Sequence, residues 1–471
     1  MTRRRAAGYV LGLAALLAIA RAASVPAWFA DAQYYVQAGR LFHQGNVTFA
    51  GHLVGDRHVA IGYYQLFQSV FGSSADSVAI ALAFTFAIAA GLVVGLCFQV
   101  GTGVWLPALT AAGLVLVLAV IPIWNSMLTD PLLLVLVLFV LNGVAWWPRV
   151  RSRWWMIAVL GAICGLGYGV RPETLVLLIA VMLAGAVAYW QGIRSWAREG
   201  VTVLAAFAVG YAVQSAAWHV WIPAPKPPTY SAAFLFYLPM YYHAEPGDGP
   251  ATAALARLEE SAGLPLTSDF IGLFPVMAAG AKAHAVKETD RLIARAGLEL
   301  LTAKAGRLLA MFGREGVQYL RRPGLTVERS TDPWDARWRF MRDRLRDLDQ
   351  RREQTSAGFG NDAWWRTETL ADRHVSMVVW LRSWLPSWSM LLRLPGVLLV
   401  CGLAATAVSI AFARQHCAPC LTACLFVIGA FIITNFSQGF DPRYSETWRY
   451  LSLVMIALTV LAWPQRALTN P

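Results

Sequence analysis

Residues 130–149 read DPLLLVLVLFVLNGVAWWPR, a mainly apolar run with Asp130 at one end and Arg149 at the other. A helix needs roughly 17–25 largely apolar residues to cross a bilayer, and this run has that length. Tryptophans, such as the pair before Pro148, are enriched where a helix meets the membrane–water interface. The stretch therefore predicts a transmembrane helix whose acidic and basic ends lie on opposite sides of the membrane.

Similar apolar runs recur along the whole chain. Of its 471 residues, 57% are hydrophobic and 14% are charged, and the mean hydropathy is +0.51. A soluble protein carries roughly 25% charged residues, so we predict an all-α polytopic membrane protein with about ten transmembrane helices. The predicted spans lie near residues 7–28, 77–98, 104–123, 130–147, 154–170, 174–190, 200–221, 387–411, 420–436 and 447–463.

Basic and acidic residues alternate between the two sides that these spans define. An excess of arginine marks the cytoplasmic side, so we place both termini in the cytoplasm. We expect the membrane to be the inner (plasma) membrane of a bacterium. The net charge of +12 is then a topology signal and a contact with anionic lipid, not a sign of nucleic acid binding. The cytoplasmic arginines are Arg3, Arg4, Arg5, Arg149, Arg151, Arg153, Arg194, Arg198, Arg414 and Arg466; the opposite ends carry Asp31, Asp56, Asp76, Asp130, Glu173, Asp441 and Glu446.

Two long outer segments divide the chain into three parts. Residues 1–221 form an N-terminal transmembrane module that includes the first outer loop (29–76); 222–386 form an outer, mainly helical segment; and 387–471 hold the C-terminal spans. Apolar side chains at three- and four-residue steps predict interfacial helices starting at Asp31 and near Tyr63. Further helical patterns lie near 285–320 and 335–353.

Three carboxylates at the outer ends of spans are candidates for chemistry. Asp31 follows the first span, Asp130 begins the fourth and Glu173 lies in a short turn after Arg171. Each also has an ordinary structural explanation. Asp31 and Asp130 stand where helix caps are favoured, and Glu173 is placed to pair with Arg171.

The same outer ends carry basic residues that suit an anionic ligand. Arg57 and His58 are placed to hold a phosphate or to contact lipid head groups. Near the last span, Arg443 and Arg449 flank the outer interface. Burying Arg449 at the membrane edge is costly unless a carboxylate or a ligand phosphate pairs with it. Arg21, near the outer end of the first span, is expected to reach the interface.

Other site classes find little support in the sequence. Cys417 and Cys420 have the spacing of a metal pair, but no second pair completes four ligands, so a tight cytoplasmic turn is the simpler interpretation. No phosphate-binding Walker loop occurs. The span centres carry almost no ionisable residues, which proton- or ion-coupled transport usually requires.

Taken in order, four motifs resemble the GT-C superfamily of polytopic glycosyltransferases, in the branch of protein O-mannosyltransferases and aminoarabinose transferases acting on lipid A. The motifs are Asp31-Ala-Gln-Tyr-Tyr after the first span, Gly62-Tyr-Tyr-Gln-Leu-Phe after Arg57-His58, Thr129-Asp-Pro-Leu at a later span, and Gly165-Leu-Gly-Tyr-Gly-Val-Arg-Pro-Glu-Thr. Arg449-Tyr450 before the last span fits too. The resemblance covers residues 1–220 well and 387–463 loosely, and Arg57-His58-Val59-Ala60 replaces the family's lysine-proline-proline stretch.

The resemblance implies an inverting transferase that takes a sugar from a polyprenyl-phosphate carrier on the non-cytoplasmic face. Asp31 is then the general base on the acceptor hydroxyl. Arg57 or His58 stabilises the departing phosphate, with Arg443 or Arg449 second, and Asp130 and Glu173 support sugar hydroxyls or a basic residue. The acceptor is a glycan, lipid or protein, and some relatives use a divalent cation. The alternatives are a lipid or glycan transporter and a non-catalytic envelope assembly protein.

Overall fold

The computed structural model describes twelve stretches of the chain and contains helices without any strand in them. Because α-helices satisfy their own backbone hydrogen bonds, they suit segments of this hydropathy. All-α architecture is therefore confirmed for the described residues. These are 1–22, 57–71, 75–121, 129–150, 154–189, 193–221, 230–236, 244–261, 273–321, 395–412, 417–437 and 442–469.

Ten apolar helices stand at the ten predicted span positions, most of them with ends within a few residues of the prediction. Four are long and apolar enough to cross a membrane by length and composition, namely α1, α3, α5 and α8, and the other six positions hold shorter apolar helices. The ten are α1 (Arg3–Ala22), α3 (Ala75–Val100), α4 (Trp105–Val120), α5 (Asp130–Val150), α6 (Trp154–Gly167), α7 (Thr174–Tyr189), α8 (Ile193–Trp221), α14 (Pro395–Phe412), α15 (Ala418–Ser437) and α16 (Pro442–Thr469).

The helix predicted near Tyr63 is confirmed as α2 (His58–Phe71), which begins five residues earlier; its position in the interface remains a prediction. It rests on α3 through Tyr63, whose hydroxyl bonds the Thr85 hydroxyl at 2.7 Å and donates to the Ala81 carbonyl at 3.0 Å. The helix predicted from Asp31 lies outside the described residues.

Glycines bring α6 and α8 into backbone contact. A Cβ atom at Gly161 or Gly165 of α6 would overlap the carbonyl oxygen of Val203 or Phe207, and one at Gly210 of α8 would overlap that of Ala162. Small residues four apart allow this close packing between membrane helices. Because of this contact, the end of α6 and the turn that follows it lie close to α8.

Two arginines fix the ends of α1. Arg3 donates to the carbonyls of Phe98 and Gly101 at the end of α3, the latter at 2.9 Å. Arg21 donates to the Ala119 carbonyl in the last turn of α4 and lies over the Phe86 ring, 5.3 Å from its centroid. The expectation that Arg21 reaches the interface is wrong, because its side chain is 4% exposed and neutralises the carbonyl end of a neighbouring helix.

The outer segment has a small core of its own, built from five helices. The helical pattern predicted near 285–320 is confirmed by two helices, α12 and α13. The three α-helices before them, α9 to α11, were not predicted. The pattern predicted at 335–353 lies outside the described residues. Glu299 of α12 accepts backbone hydrogen bonds from Ala251 and Thr252 at the start of α10. The helices are α9 (Ser231–Leu235), α10 (Pro250–Ser261), α11 (Leu273–Lys282), α12 (Val286–Ala303) and α13 (Ala305–Arg321).

We expect Gly165→Ala to lower the stability of the protein by about 1–3 kcal/mol, because the added methyl group has no room beside α8. Gly91→Ala is the matched control: it lies in a helix with nothing within 4 Å of the new Cβ, and alanine is the better helix former. Thermal unfolding in detergent measures both, and equal midpoints would contradict the proposed backbone contact.

Candidate functional site

A buried arginine joins two carboxylates at the end of the bundle that the arginine pattern predicts to be the outer one. Arg171 donates through Nη1 to Asp130 Oδ1 and through Nη2 to Glu173 Oε1, both at 2.6 Å. Arg171 is 2% exposed, Asp130 is also buried, and the Glu173 side chain is 11% exposed. We call these three residues the Arg171 cluster. It ties the start of α5 to the turn between α6 and α7.

Local sequence determines how the turn presents Arg171. After α6 the chain makes successive tight turns, in which Val170 and Arg171 both donate backbone hydrogen bonds to the Gly167 carbonyl at 2.9 Å. The Thr174 hydroxyl then donates to the Arg171 carbonyl at 2.9 Å where α7 begins. Pro172 cannot donate a backbone hydrogen bond and favours a break between two helices. The Arg171 side chain is thereby directed inward toward Asp130.

The start of α2 docks against the same turn. The Val59 amide donates to the Gly169 carbonyl at 3.0 Å, and His58 Nε2 donates to the Gln214 carbonyl of α8 at 2.7 Å. The His58 ring also meets the Trp218 ring edge-on, with centroids 5.3 Å apart. A Cβ atom at Gly169 would collide with Val59 and with the Gln214 side chain, so only glycine allows this approach.

Charge controls the ionisation of Glu173. Burial opposes ionisation of its carboxyl, but the charge of Arg171, the hydrogen bond from Arg171 and the charge of Arg57 act in the opposite direction and outweigh it. The pKa of Glu173 therefore lies below its ordinary value, and the carboxylate is charged at neutral pH. Arg57 precedes α2 and is half-buried, so its charge reaches the cluster while part of its side chain remains accessible.

The structure thus brings Arg57, His58, Asp130, Arg171 and Glu173 together. His58 is 1% exposed, and one of its ring nitrogens bonds α8; among the two residues predicted to contact phosphate, Arg57 is the more accessible.

The remaining predicted site residues lie elsewhere or outside the described residues. Arg449 is buried on α16, between Trp448, which packs edge-on against Phe426, and Tyr450, whose hydroxyl donates to the Leu114 carbonyl at 3.3 Å. Arg443 lies in the first turn of α16, and its side chain is outside the described residues. Asp31 is outside them altogether.

Among the described residues, no group of three or more His, Cys, Asp or Glu side chains is placed to hold a metal ion. Cys417 and Cys420 are buried at the start of α15. The Cys420 sulfur lies 3.2 Å from the Thr406 hydroxyl, within a group of hydroxyls that includes Thr459. These contacts favour a role in packing α14, α15 and α16 together.

Sequence reasoning missed the contribution of α8 to the site. Gln214 and Trp218 of α8 position the start of α2, yet neither was singled out, and Gly169 was noted only as part of the Gly165–Thr174 motif. A buried amide near the end of an apolar span is a detectable signal, because polar groups inside membranes are costly and tend to mark functional positions. The glycine pair Gly161 and Gly165, four residues apart, was a second signal.

Comparison with protein-family models and with curated proteins finds no match. Among solved structures, the chain is similar to the Archaeoglobus fulgidus oligosaccharyltransferase in complex with Zn and sulfate (13% identity, 96% of this chain, 48% of that chain, TM-score 0.44). It is also similar to the archaeal oligosaccharyltransferase AglB from Archaeoglobus fulgidus in complex with an inhibitory peptide and a dolichol-phosphate (14% identity, 98% of this chain, 51% of that chain, TM-score 0.42).

A third similar structure is ArnT from Cupriavidus metallidurans bound to undecaprenyl phosphate (12% identity, 98% of this chain, 78% of that chain, TM-score 0.32). This chain spans about half the length of the two oligosaccharyltransferase chains that it matches.

We expect Arg171→Met to destabilise the protein by about 3–5 kcal/mol, because it leaves the buried Asp130 carboxylate without its cation. Asp130→Leu combined with Arg171→Met removes both charges and should recover part of that loss. Thermal unfolding of the two single variants and the double variant measures the coupling. Additive losses would mean that the 2.6 Å contact contributes nothing to stability.

The lowered pKa of Glu173 predicts a pH dependence of folding. Its stabilising contribution is fully present above the ordinary pKa of about 4.5 and is lost as pH falls through the lower pKa of the folded state. Glu173→Gln should therefore unfold with a flatter pH profile below about pH 4.5 than the unmodified protein. Glu260→Gln, at an exposed position of α10, is the control and should retain the full slope.

Proposed function

We propose that this protein is a GT-C-type glycosyltransferase that moves a sugar from a polyprenyl-phosphate carrier to an acceptor hydroxyl on the non-cytoplasmic face of the membrane. The observation that carries the proposal is the Arg171 cluster. The cluster holds the turn after α6 in place. A backbone hydrogen bond from Val59 to this turn positions the start of α2, next to the partly exposed Arg57. A charged, ordered site at one end of an apolar bundle suits a substrate whose tail lies in lipid and whose head group is anionic.

In the proposed reaction the acceptor oxygen attacks the anomeric carbon of the sugar. The bond between that carbon and the carrier phosphate oxygen breaks, the phosphate leaves with the electron pair, and the configuration inverts. Asp31 takes the proton from the acceptor hydroxyl. General-base assistance of this kind contributes about 10²–10⁴ in rate.

Arg57 is the residue that we assign to the departing phosphate. Charge develops on the leaving oxygen, and a positioned guanidinium donates hydrogen bonds to it as it forms. The accessibility of Arg57 beside the buried His58 supports this choice. Arg443 and Arg449, on α16, are the second candidates.

Asp130 and Glu173 are positioning residues in this proposal. Both carboxylates bond Arg171, and their loss would displace the turn on which α2 rests. We assign acceptor selection to the outer segment, and its separate core supports a role distinct from that of the bundle.

Asp31→Asn should lower turnover by about 10²–10⁴ while leaving insertion and stability unchanged. Arg57→Gln should weaken binding of undecaprenyl phosphate, the probe, by about tenfold or more, because a charged hydrogen bond is lost. The measurements are envelope glycan analysis in a complemented deletion strain and binding of the probe to purified protein. Arg295→Gln, at an exposed position of α12, is the control for Arg57→Gln.

Full complementation by Asp31→Asn would remove Asp31 from the chemistry. If the deletion strain instead accumulates unmodified lipid-linked sugar on the cytoplasmic face and transfers none, the protein is a transporter and the glycosyltransferase proposal fails.

A further inference from the structure

A second site lies at the opposite end of the bundle from the Arg171 cluster. There a cavity of about 200 Å³ opens between α3, α5 and α6. Its wall combines apolar side chains with two amides and three tryptophans, one of which, Trp147, is buried while Trp146 and Trp155 are exposed at the rim. The lining includes Leu92, Gln99, Phe139, Asn142, Trp146 and Trp155.

The two amides in this wall have a fixed orientation. Asn142 Nδ2 donates to the carbonyls of Leu92 at 2.9 Å and Leu138 at 2.8 Å, so its Oδ1 must face the other way. There it accepts a hydrogen bond from Gln99 Nε2 at 3.2 Å. Because the amide nitrogen of Gln99 is committed to Asn142, its Oε1 is the atom left to accept a hydrogen bond from another donor.

Gln99 Oε1 is buried and accepts no hydrogen bond from the part of the chain that the structure describes. A buried acceptor without a donor is destabilising, and a hydrogen bond from a ligand would remove that penalty. Gln99 lies one residue before the end of α3, and Trp146 and Trp155 lie near the ends of α5 and α6. The acceptor is thus at the depth where lipid head groups meet the apolar core.

The apolar part of the cavity extends from Gln99 toward the middle of the helices. Leu92 is seven residues from Gln99 on α3, which corresponds to about 10 Å along the helix. Phe139 and Leu160 line the same deeper part. A volume of about 200 Å³ holds a length of one acyl chain rather than a whole lipid, with the rest of the lipid lying in the bilayer.

We infer that this cavity binds a phospholipid with a primary ammonium head group, phosphatidylethanolamine, at the end of the bundle that the arginine pattern places in the cytoplasm. The ammonium donates to Gln99 Oε1 and lies against the tryptophan faces, which attract cations. One acyl chain lies along Leu92 and Phe139. The site is separate from the proposed glycosyl transfer and does not depend on it.

The experiment measures lipid retention by native mass spectrometry of the purified full-length protein. Equal concentrations of phosphatidylethanolamine, phosphatidylglycerol and phosphatidylcholine are offered in turn. We expect one phosphatidylethanolamine to be retained per chain at least about tenfold more tightly than phosphatidylcholine, which has no ammonium N–H donor. Equal retention of phosphatidylglycerol, an anionic lipid whose head group donates only through hydroxyls, would overturn the choice of an ammonium.

Two variants test the site itself. Gln99→Leu removes the acceptor and should abolish the preference for phosphatidylethanolamine. Val159→Trp leaves both amides intact and fills the cavity, so it should remove the retained lipid even if Gln99→Leu fails to fold. Val209→Trp adds the same bulk at an exposed position of α8 and should retain the lipid. Retention of the lipid by Val159→Trp would overturn the assignment of this cavity.

Discussion

The contact of Arg171 with two carboxylates is the constraint on which the outer end of the bundle depends. A guanidinium that is 2% exposed would be very costly to bury alone. Here both of its outer nitrogens meet carboxylate oxygens at 2.6 Å, and the carboxylates come from two different parts of the chain. The same contact therefore neutralises a buried charge and fixes the position of the turn before α7 relative to the start of α5. The position of α2 then follows, because the amide of Val59, its second residue, donates to the Gly169 carbonyl in that turn.

The charges of the site also bear on which basic residue could bind an anion. Asp130, Arg171 and Glu173 together carry one net negative charge, so the cluster by itself does not attract a phosphate. Arg57 brings the sum to zero. An anionic head group would then be held by directed hydrogen bonds from Arg57, because the surrounding field is balanced. Under the proposed function, burial and accessibility, and not charge alone, therefore separate Arg57 from Arg171.

The sequence predicts those features that depend on local composition and fails for those that depend on packing. The ten apolar helices follow from run length, and α2, α12 and α13 follow from helical periodicity. The pairing of Arg171 with Glu173 could be expected from their separation of two residues. Its partner Asp130 is 41 residues away, and no spacing rule brings the two together. Arg21 was misplaced for a similar reason, because its burial depends on how α1 packs on α3 and α4.

The backbone contact between α6 and α8 limits how this protein can move. Most helix interfaces hold interlocking side chains that change rotamer and let one helix shift against another. Where glycines place main chain directly on main chain, there is no such adjustable layer, and the two helices behave as a single strut. Under the proposed function, access for a bulky substrate would then have to come from movement of helices other than these two.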